Sequence, residues 1–299
     1  MTDYQSAHTH DHSPGHPTDH HNDHPTGHHS GPLLTIITVT LDSQSEDFAA
    51  TAASLTPLLS AHSRQIEWLV IPGREPNDQA GSQSDSQSSG QPSDTDDWQQ
   101  WATILPANQA GIYAAMDSGL DAAAGRYVWW LNGGDQLASA SAGDTIMVTL
   151  AEQEPDFLYG DSLERDTNGK DWYKPSRHHS RLANGMFTHH QAMIYGRHLT
   201  GDNRYGRRFQ IAADYGFTIR YLMVATNIVY VREALCRFQP GGLSNQQARL
   251  GRQEQQMIRR EFLGTSWVQD RWITGCQQIS QQIRQTLPGL WERLRRVQS

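Results

Sequence analysis

The stretch Arg126-Tyr127-Val128-Trp129-Trp130-Leu131-Asn132-Gly133-Gly134-Asp135 decides the fold. Its first part is a run of bulky, β-forming side chains with no polar alternation, the pattern of a strand covered on both faces. The Asn-Gly-Gly-Asp that follows turns the chain away. Trp129 and Trp130 therefore read as core packing on a central strand rather than as sugar-stacking platforms. Just upstream, Gly111 to Ala124 predicts an amphipathic helix, with Ile112, Met116, Leu120 and Ala123 on one stripe and Gly125 as its C-cap.

The same alternation extends toward the N-terminus. Leu33-Leu34-Thr35-Ile36-Ile37-Thr38-Val39-Thr40 is a short β-branched strand, and Phe48, Ala52, Leu55, Leu58 and Leu59 mark a helix after it. Ile66 to Ile71 is a second strand stopped by Pro72-Gly73, and Trp101 to Leu105 a third. Toward the C-terminus, Asp156 to Asp161 reads as a strand delivering Asp161 at its end, and 162–185 as a polar loop or hairpin. The class is α/β: a Rossmann-like sheet with helices on both faces, whose ligands sit at the carboxyl ends of its strands, where Asn132 to Asp135 fall.

Composition bounds the rest. The chain has 299 residues, a formal net charge of -8 and two cysteines, Cys236 and Cys276. That balance lacks the footprint of a general nucleic-acid binder and offers no disulfide framework or thiolate zinc site. No basic segment followed by an apolar one marks a secretory signal, and no apolar run reaches the ~20 residues that span a bilayer. A soluble, cytoplasmic protein is expected, or one peripheral at the inner face of the plasma membrane.

Three segments stand apart. Residues 1–31 form a His-rich, disordered tail carrying nine of the 15 histidines. It reads as a solvated tail, since a defined metal site needs fixed geometry that this composition does not supply. Residues 77–97 read as a flexible insert within a domain spanning 32–248, so the Asp94-Thr95-Asp96 inside it is set aside as a metal motif. Residues 249–299 read as a helical appendage, with Ile273, Ile279, Ile283, Leu287 and Leu290 at helical spacing. There Arg252, Arg259, Arg260, Arg271, Arg284, Arg293, Arg295 and Arg296 outnumber Glu254, Glu261, Asp270 and Glu292. Such a segment suits either an anionic membrane surface or a packed helix with a solvated face. The pairs His178-His179 and His189-His190 do not suggest a zinc cluster, because neighbours on extended chain face opposite ways.

Several segments, in order, resemble the GT-A fold, family-2 glycosyltransferases of bacterial polysaccharide biosynthesis, including those similar to colanic-acid transferases. They are Leu33–Thr40, Glu67–Ile71, Gly111–Met116 with Gly119, Tyr127–Asp135, Tyr159-Gly160-Asp161, His190-Gln191, Ile211–Tyr215 and Gly241–Asn245. The resemblance implies an inverting transfer from a nucleotide-diphosphate sugar to a glycan or lipid-linked acceptor in cell-surface polysaccharide assembly. Asp135 would hold Mn2+ or Mg2+, and Asp214 would be the general base. Thr40, Asn132, His190, Gln191, Gly241, Gly242 and Ser244 would face the donor, and Asp161 would support the acceptor or the metal region. The family pattern is broken at Pro72, Gln109 and Ala114, where it carries acids. The rival reading is a catalytically impaired GT-A-fold scaffold that partners an active transferase, and a third is metal handling by the His-rich tail.

Overall fold

The computed structural model describes residues 31–73, 97–106, 111–166, 169–239 and 247–286. The expectations for the tail up to residue 30, for the insert 77–96 and for Gln109, Gly241, Gly242, Ser244, Leu287 and Leu290 lie outside them.

Strand β1 (Leu34–Thr40) is buried along its whole length. It pairs in parallel with β2 (Ile66–Pro72) on one side and β4 (Tyr127–Trp130) on the other. β3 (Ala102–Ile104) extends the parallel set at the edge. Between them run α1 (Glu46–Ala61), capped by the Ser45 hydroxyl, and α2 (Ile112–Ala122). Beyond β4, the two-residue β5 (Gln136–Leu137) leads into α3 (Ala140–Glu152), and β6 (Phe157–Arg165) makes a hairpin with β7 (Asp171–Lys174). β8 (Met193–Gly196) lies antiparallel between β4 and β6, and β9 (Ile228–Phe238) runs parallel to β6 and receives β5. The described strands make one nine-stranded mixed sheet in the order β3-β2-β1-β4-β8-β6-β9-β5, with β7 on β6.

Alternate residues of each strand feed two cores, one on each face of the sheet. Leu34, Ile36, Trp68, Val70 and Trp129 pack under α1 and α3. Ile37, Val39, Leu69, Ile71 and Trp130 pack under α2 and α4 (Ala213–Leu222). The tryptophan pair is thus fully buried and split between the faces, with the Trp129 indole donating to the Gln191 carbonyl at 2.8 Å. Two further helices, α5 (Ala248–Leu263) and α6 (Trp267–Thr286), complete the described chain, and Ile258 of α5 joins the core beneath α4.

Four local expectations change. Gly125 does not cap α2: the helix ends at Ala122, and Gly125 instead sits where a Cβ would lie 2.5 Å from the Thr35 amide nitrogen. Ile112 is exposed, because the buried stripe of α2 runs through Ala115, Met116, Gly119 and Leu120. Asp161 lies within β6 rather than at its end, at an irregularity in the pairing with β9. Finally, His178 and His179 lie together, ring centroids 4.1 Å apart, because the chain tightens into a 3-10 turn at His179.

Candidate active site

Asp135 stands at the carboxyl end of the parallel strands. The chain leaves β4 through Leu131, and the Gly133 N–H donates to the Val39 carbonyl, which keeps the turn against the end of β1. A Cβ at Gly133 would lie 2.7 Å from the Thr40 hydroxyl, so glycine permits this approach. Gly134 adopts φ +98, and its N–H donates to the Thr51 hydroxyl, which in turn donates to the Asp135 carbonyl at 2.7 Å. The turn is thereby tied to α1, and β5 carries the chain across to β9. At the end of β9 the Gln239 N–H returns to the Asp135 carboxylate at 3.1 Å.

Asp135 is 6% exposed. Burial holds its carboxyl up to about 7, while the Gln239 N–H and the Gln191 side-chain amide pull the other way. Gln191 reaches it because β8 runs antiparallel to β4, which brings the start of β8 to the end of β4. Asn132 adds a buried amide oxygen with no hydrogen-bond partner among the described residues. A carboxylate, an unpartnered amide oxygen and glycine backbone fit a hard divalent cation that arrives with phosphate and water as its other ligands. They do not make a protein cage: no group of three metal-binding side chains occurs among the described residues.

His190 turns the opposite way from its neighbours in sequence. It is buried against Trp130, Tyr195 and Tyr205, and its Nε2 lies 2.9 Å from the Tyr205 hydroxyl. Burial pushes its ring down to about 3, so it is neutral. His189 points elsewhere, to Glu164 and Lys174, each 3.0 Å away. From Tyr205 the contact continues to Tyr113 on α2, whose ring stacks on it at 5.5 Å. The Tyr113 hydroxyl donates to the Ile211 carbonyl at 2.7 Å and lies against the backbone of Ala213 and Asp214.

Asp214 opens α4. Part of its surface stays open while the surrounding protein desolvates it. Burial raises its carboxyl to about 6, the nearby Glu254 charge adds to that, and the Tyr215 N–H at 2.8 Å opposes it. Asp161, by contrast, is consumed by structure: it accepts from the Tyr173 and Tyr230 hydroxyls and from the Ser176 N–H. The structure thus brings Thr40, Asn132, Gln191 and Asp135 to one rim. It links that rim through His190 to Asp214 and gives Asp161 a separate, satisfied environment. At the broken family positions, Pro72 ends β2 and Ala114 lies half-buried on α2.

Sequence reasoning missed Tyr205 and Glu254. Tyr113 stood inside a recognised segment without a role. Nothing local marks Tyr205 or Glu254, since each meets its partners only across the folded chain.

This architecture is a glycosyltransferase fold. S. aureus TarS, residues 1–349, superposes with a TM-score of 0.56 at 13% identity, over 81% of this chain and 69% of that one, or 70% of it in the complex with UDP-GlcNAc. The mannosyltransferase PcManGT from Pyrobaculum calidifontis, solved with GDP-Man and Mn2+, gives a TM-score of 0.54 at 12% identity, over 83% of this chain and 69% of that one. In sequence, the chain is 32% identical over 139 residues to PGL/p-HBAD biosynthesis glycosyltransferases of Mycobacterium tuberculosis and Mycobacterium bovis. The match covers 45% of this chain and 54% of those relatives, so the chain spans about half their length. No family model matches the chain.

Proposed function

We propose that this chain is an inverting glycosyltransferase of GT-A type, related to family 2. It would move a sugar from a nucleotide-diphosphate donor to a glycan or lipid-linked acceptor in cell-surface polysaccharide assembly. One observation carries the reading: two desolvated carboxylates, Asp135 at the strand ends and Asp214 at the start of α4, joined by the Gln191, His190, Tyr205 and Tyr113 contacts. The relatives named for glycosyl transfer, and the neighbours solved with nucleotide sugars, support it.

The chemistry follows from the two acids. In a single displacement, the bond from the sugar's anomeric carbon to the diphosphate breaks as the acceptor oxygen bonds to the opposite face of that carbon. The acceptor hydroxyl loses its proton to Asp214, a carboxylate held up to about 6 and so suited to accept one near neutral pH. Asp135, with Asn132, would hold Mn2+ or Mg2+ against the diphosphate, where a divalent cation offsets the charge of the leaving group. Thr40 and Gln191 would line the donor side, and Gly241, Gly242 and Ser244 are assigned to donor binding by the resemblance alone. Neutral His190 would brace Gln191 from behind. The protein would work in the cytoplasm, with α6 against an anionic membrane surface. Trp267, Val268, Trp272 and Ile279 on α6 are all exposed, and Arg271 lies over the Trp267 ring.

The test is a calorimetric and hydrolytic screen of UDP-, GDP- and dTDP-sugars with and without Mn2+. Asp135→Ala is expected to stay folded by circular dichroism and to lose Mn2+-dependent nucleotide-sugar binding. Asp214→Asn is expected to keep that binding and lose roughly a hundredfold or more in turnover. A wild-type protein that binds no nucleotide sugar in the presence of Mn2+ would favour the scaffold reading instead.

A further inference from the structure

Glu254 is a buried acid on α5, only 4% exposed. Its carboxylate accepts three consecutive backbone N–H groups, those of Gln210, Ile211 and Ala212, each at 2.8 Å. Three donors converging on two oxygens demand acceptors at both, which a carboxylate supplies and an amide does not. The close approach has its own device one turn earlier: a Cβ at Gly251 would come within 3.0 Å of the Ile211 side chain. Ile258, one turn later on the same face, is fully buried in the core beneath α4. Gly251, Glu254 and Ile258 thus form one seam of α5 closed on the segment that launches Asp214.

We propose that Glu254 is a positioning residue for Asp214, holding the 210–212 turn that aims α4 and setting a second negative charge beside that carboxylate. The assignment rests on the proposed role of Asp214 and deepens it, since it makes α5 a working part of the site. The titratable groups that face Asp214 are Tyr113 from α2, Tyr195 from β8, Tyr205 from the segment before α4, and Glu254 from α5. Glu254 is the one carboxylate among them. A like charge favours the protonated form of its neighbour, so removing it lets Asp214 ionise at lower pH.

The decisive measurement is a carbon-13 NMR titration of the Asp214 carboxyl on the full chain, its signal assigned by comparison with Asp214→Asn. In Glu254→Gln the Asp214 midpoint is expected to move down, by about half a pH unit or more. In Glu254→Asp, which keeps the charge on a shorter stem, the midpoint is expected to stay near wild type while the melting temperature falls. The acid limb of Mn2+-dependent UDP-glucose or GDP-mannose hydrolysis should follow the carboxyl in each variant, with donor affinity unchanged. An Asp214 midpoint that is the same in wild type and folded Glu254→Gln overturns the proposal, because Glu254 would then hold the backbone without acting on Asp214. Midpoints that move as expected in a protein that binds and hydrolyses none of the screened UDP-, GDP- and dTDP-sugars would sink the transferase reading but not the coupling of Glu254 to Asp214.

Discussion

At the residue scale, the site depends on polar groups kept dry and, in one case, neutral. His190 shows the thermodynamic consequence most directly. Its ring titrates near 3 in the folded chain because burial penalises the cation, against an ordinary value of about 6.5 when unfolded. A depressed folded value means that its contribution to stability is complete above the unfolded value. It is lost progressively as pH falls from about 6.5 toward 3, because only the unfolded chain takes up the proton. Asp135 and Asp214, with raised values, act in the opposite direction, so the whole-protein profile mixes the signs. The comparison with His190→Gln isolates the histidine, since glutamine can still meet the Tyr205 hydroxyl but does not titrate. The stability advantage of wild type over His190→Gln, from urea unfolding, is expected to be full at pH 7.5 and to narrow from about pH 6.5 down to pH 5. An advantage independent of pH would mean the ring is not held neutral by burial.

At the element scale, α2 illustrates how closely the layers meet. Gly119 faces β1, and a Cβ there would stand 2.5 Å from Ile37 Cγ2 and 3.1 Å from Ile71 Cδ1. Alanine would gain about 1 kcal/mol in helix propensity, while overpacking a filled core costs about 1–3 kcal/mol. The second effect wins, because Ile37 and Ile71 are fully buried and cannot swing clear. Gly119→Ala is therefore expected to unfold at lower urea concentration with an unchanged m-value; a variant as stable as wild type would show that β1 yields more readily than its packing indicates. The C-terminal helices make the complementary point. Arg259 is fully buried on Asp270 at 2.9 Å, and Arg260 reaches the same carboxylate at 2.5 Å. Two of the arginines that sequence counts toward a membrane surface are instead used to join α5 to α6. Removing one partner of such a buried pair strands the other charge, so truncation is a poor probe of this region.

At the scale of the whole molecule, the face of α6 is the feature that the core does not use. Trp267 is 62% exposed, Val268 68%, Trp272 75% and Ile279 61%. Aromatic rings flanked by arginine suit the boundary between headgroups and acyl chains. No helix among the described residues is long and apolar enough to cross a membrane, so any contact through α6 would be along a surface. The double variant Trp267→Ser, Trp272→Ser is expected to lose co-sedimentation with phosphatidylglycerol-containing vesicles at low salt while donor hydrolysis in solution stays at the wild-type rate. Vesicle binding that survives the double substitution would move the contact elsewhere.

What could be read from the sequence was whatever short-range chemistry specifies. The covered strand at Tyr127–Trp130, the β-branched run of β1 and the spacing of Phe48, Leu55 and Leu59 in α1 announce their elements, because hydrophobic periodicity and turn residues act over a few positions. With the strand order of an α/β sheet, they also place Asp135 at the carboxyl ends of the parallel strands. The tertiary structure alone decided the environments. Asp161 and Asp214 are both carboxylates in recognised segments, yet Tyr173, Tyr230 and Ser176 consume the first while burial, with a smaller contribution from the Glu254 charge, raises the second. His190 precedes Gln191 in sequence, but only the antiparallel return of β8 sets its ring against Trp130. Glu254 counted only as one acid in an arginine-rich segment until α5 docked over residues 210–212. Ionisation, desolvation and hydrogen-bond saturation depend on what lies within a few ångströms, and those neighbours come from positions tens of residues away, which no local pattern encodes.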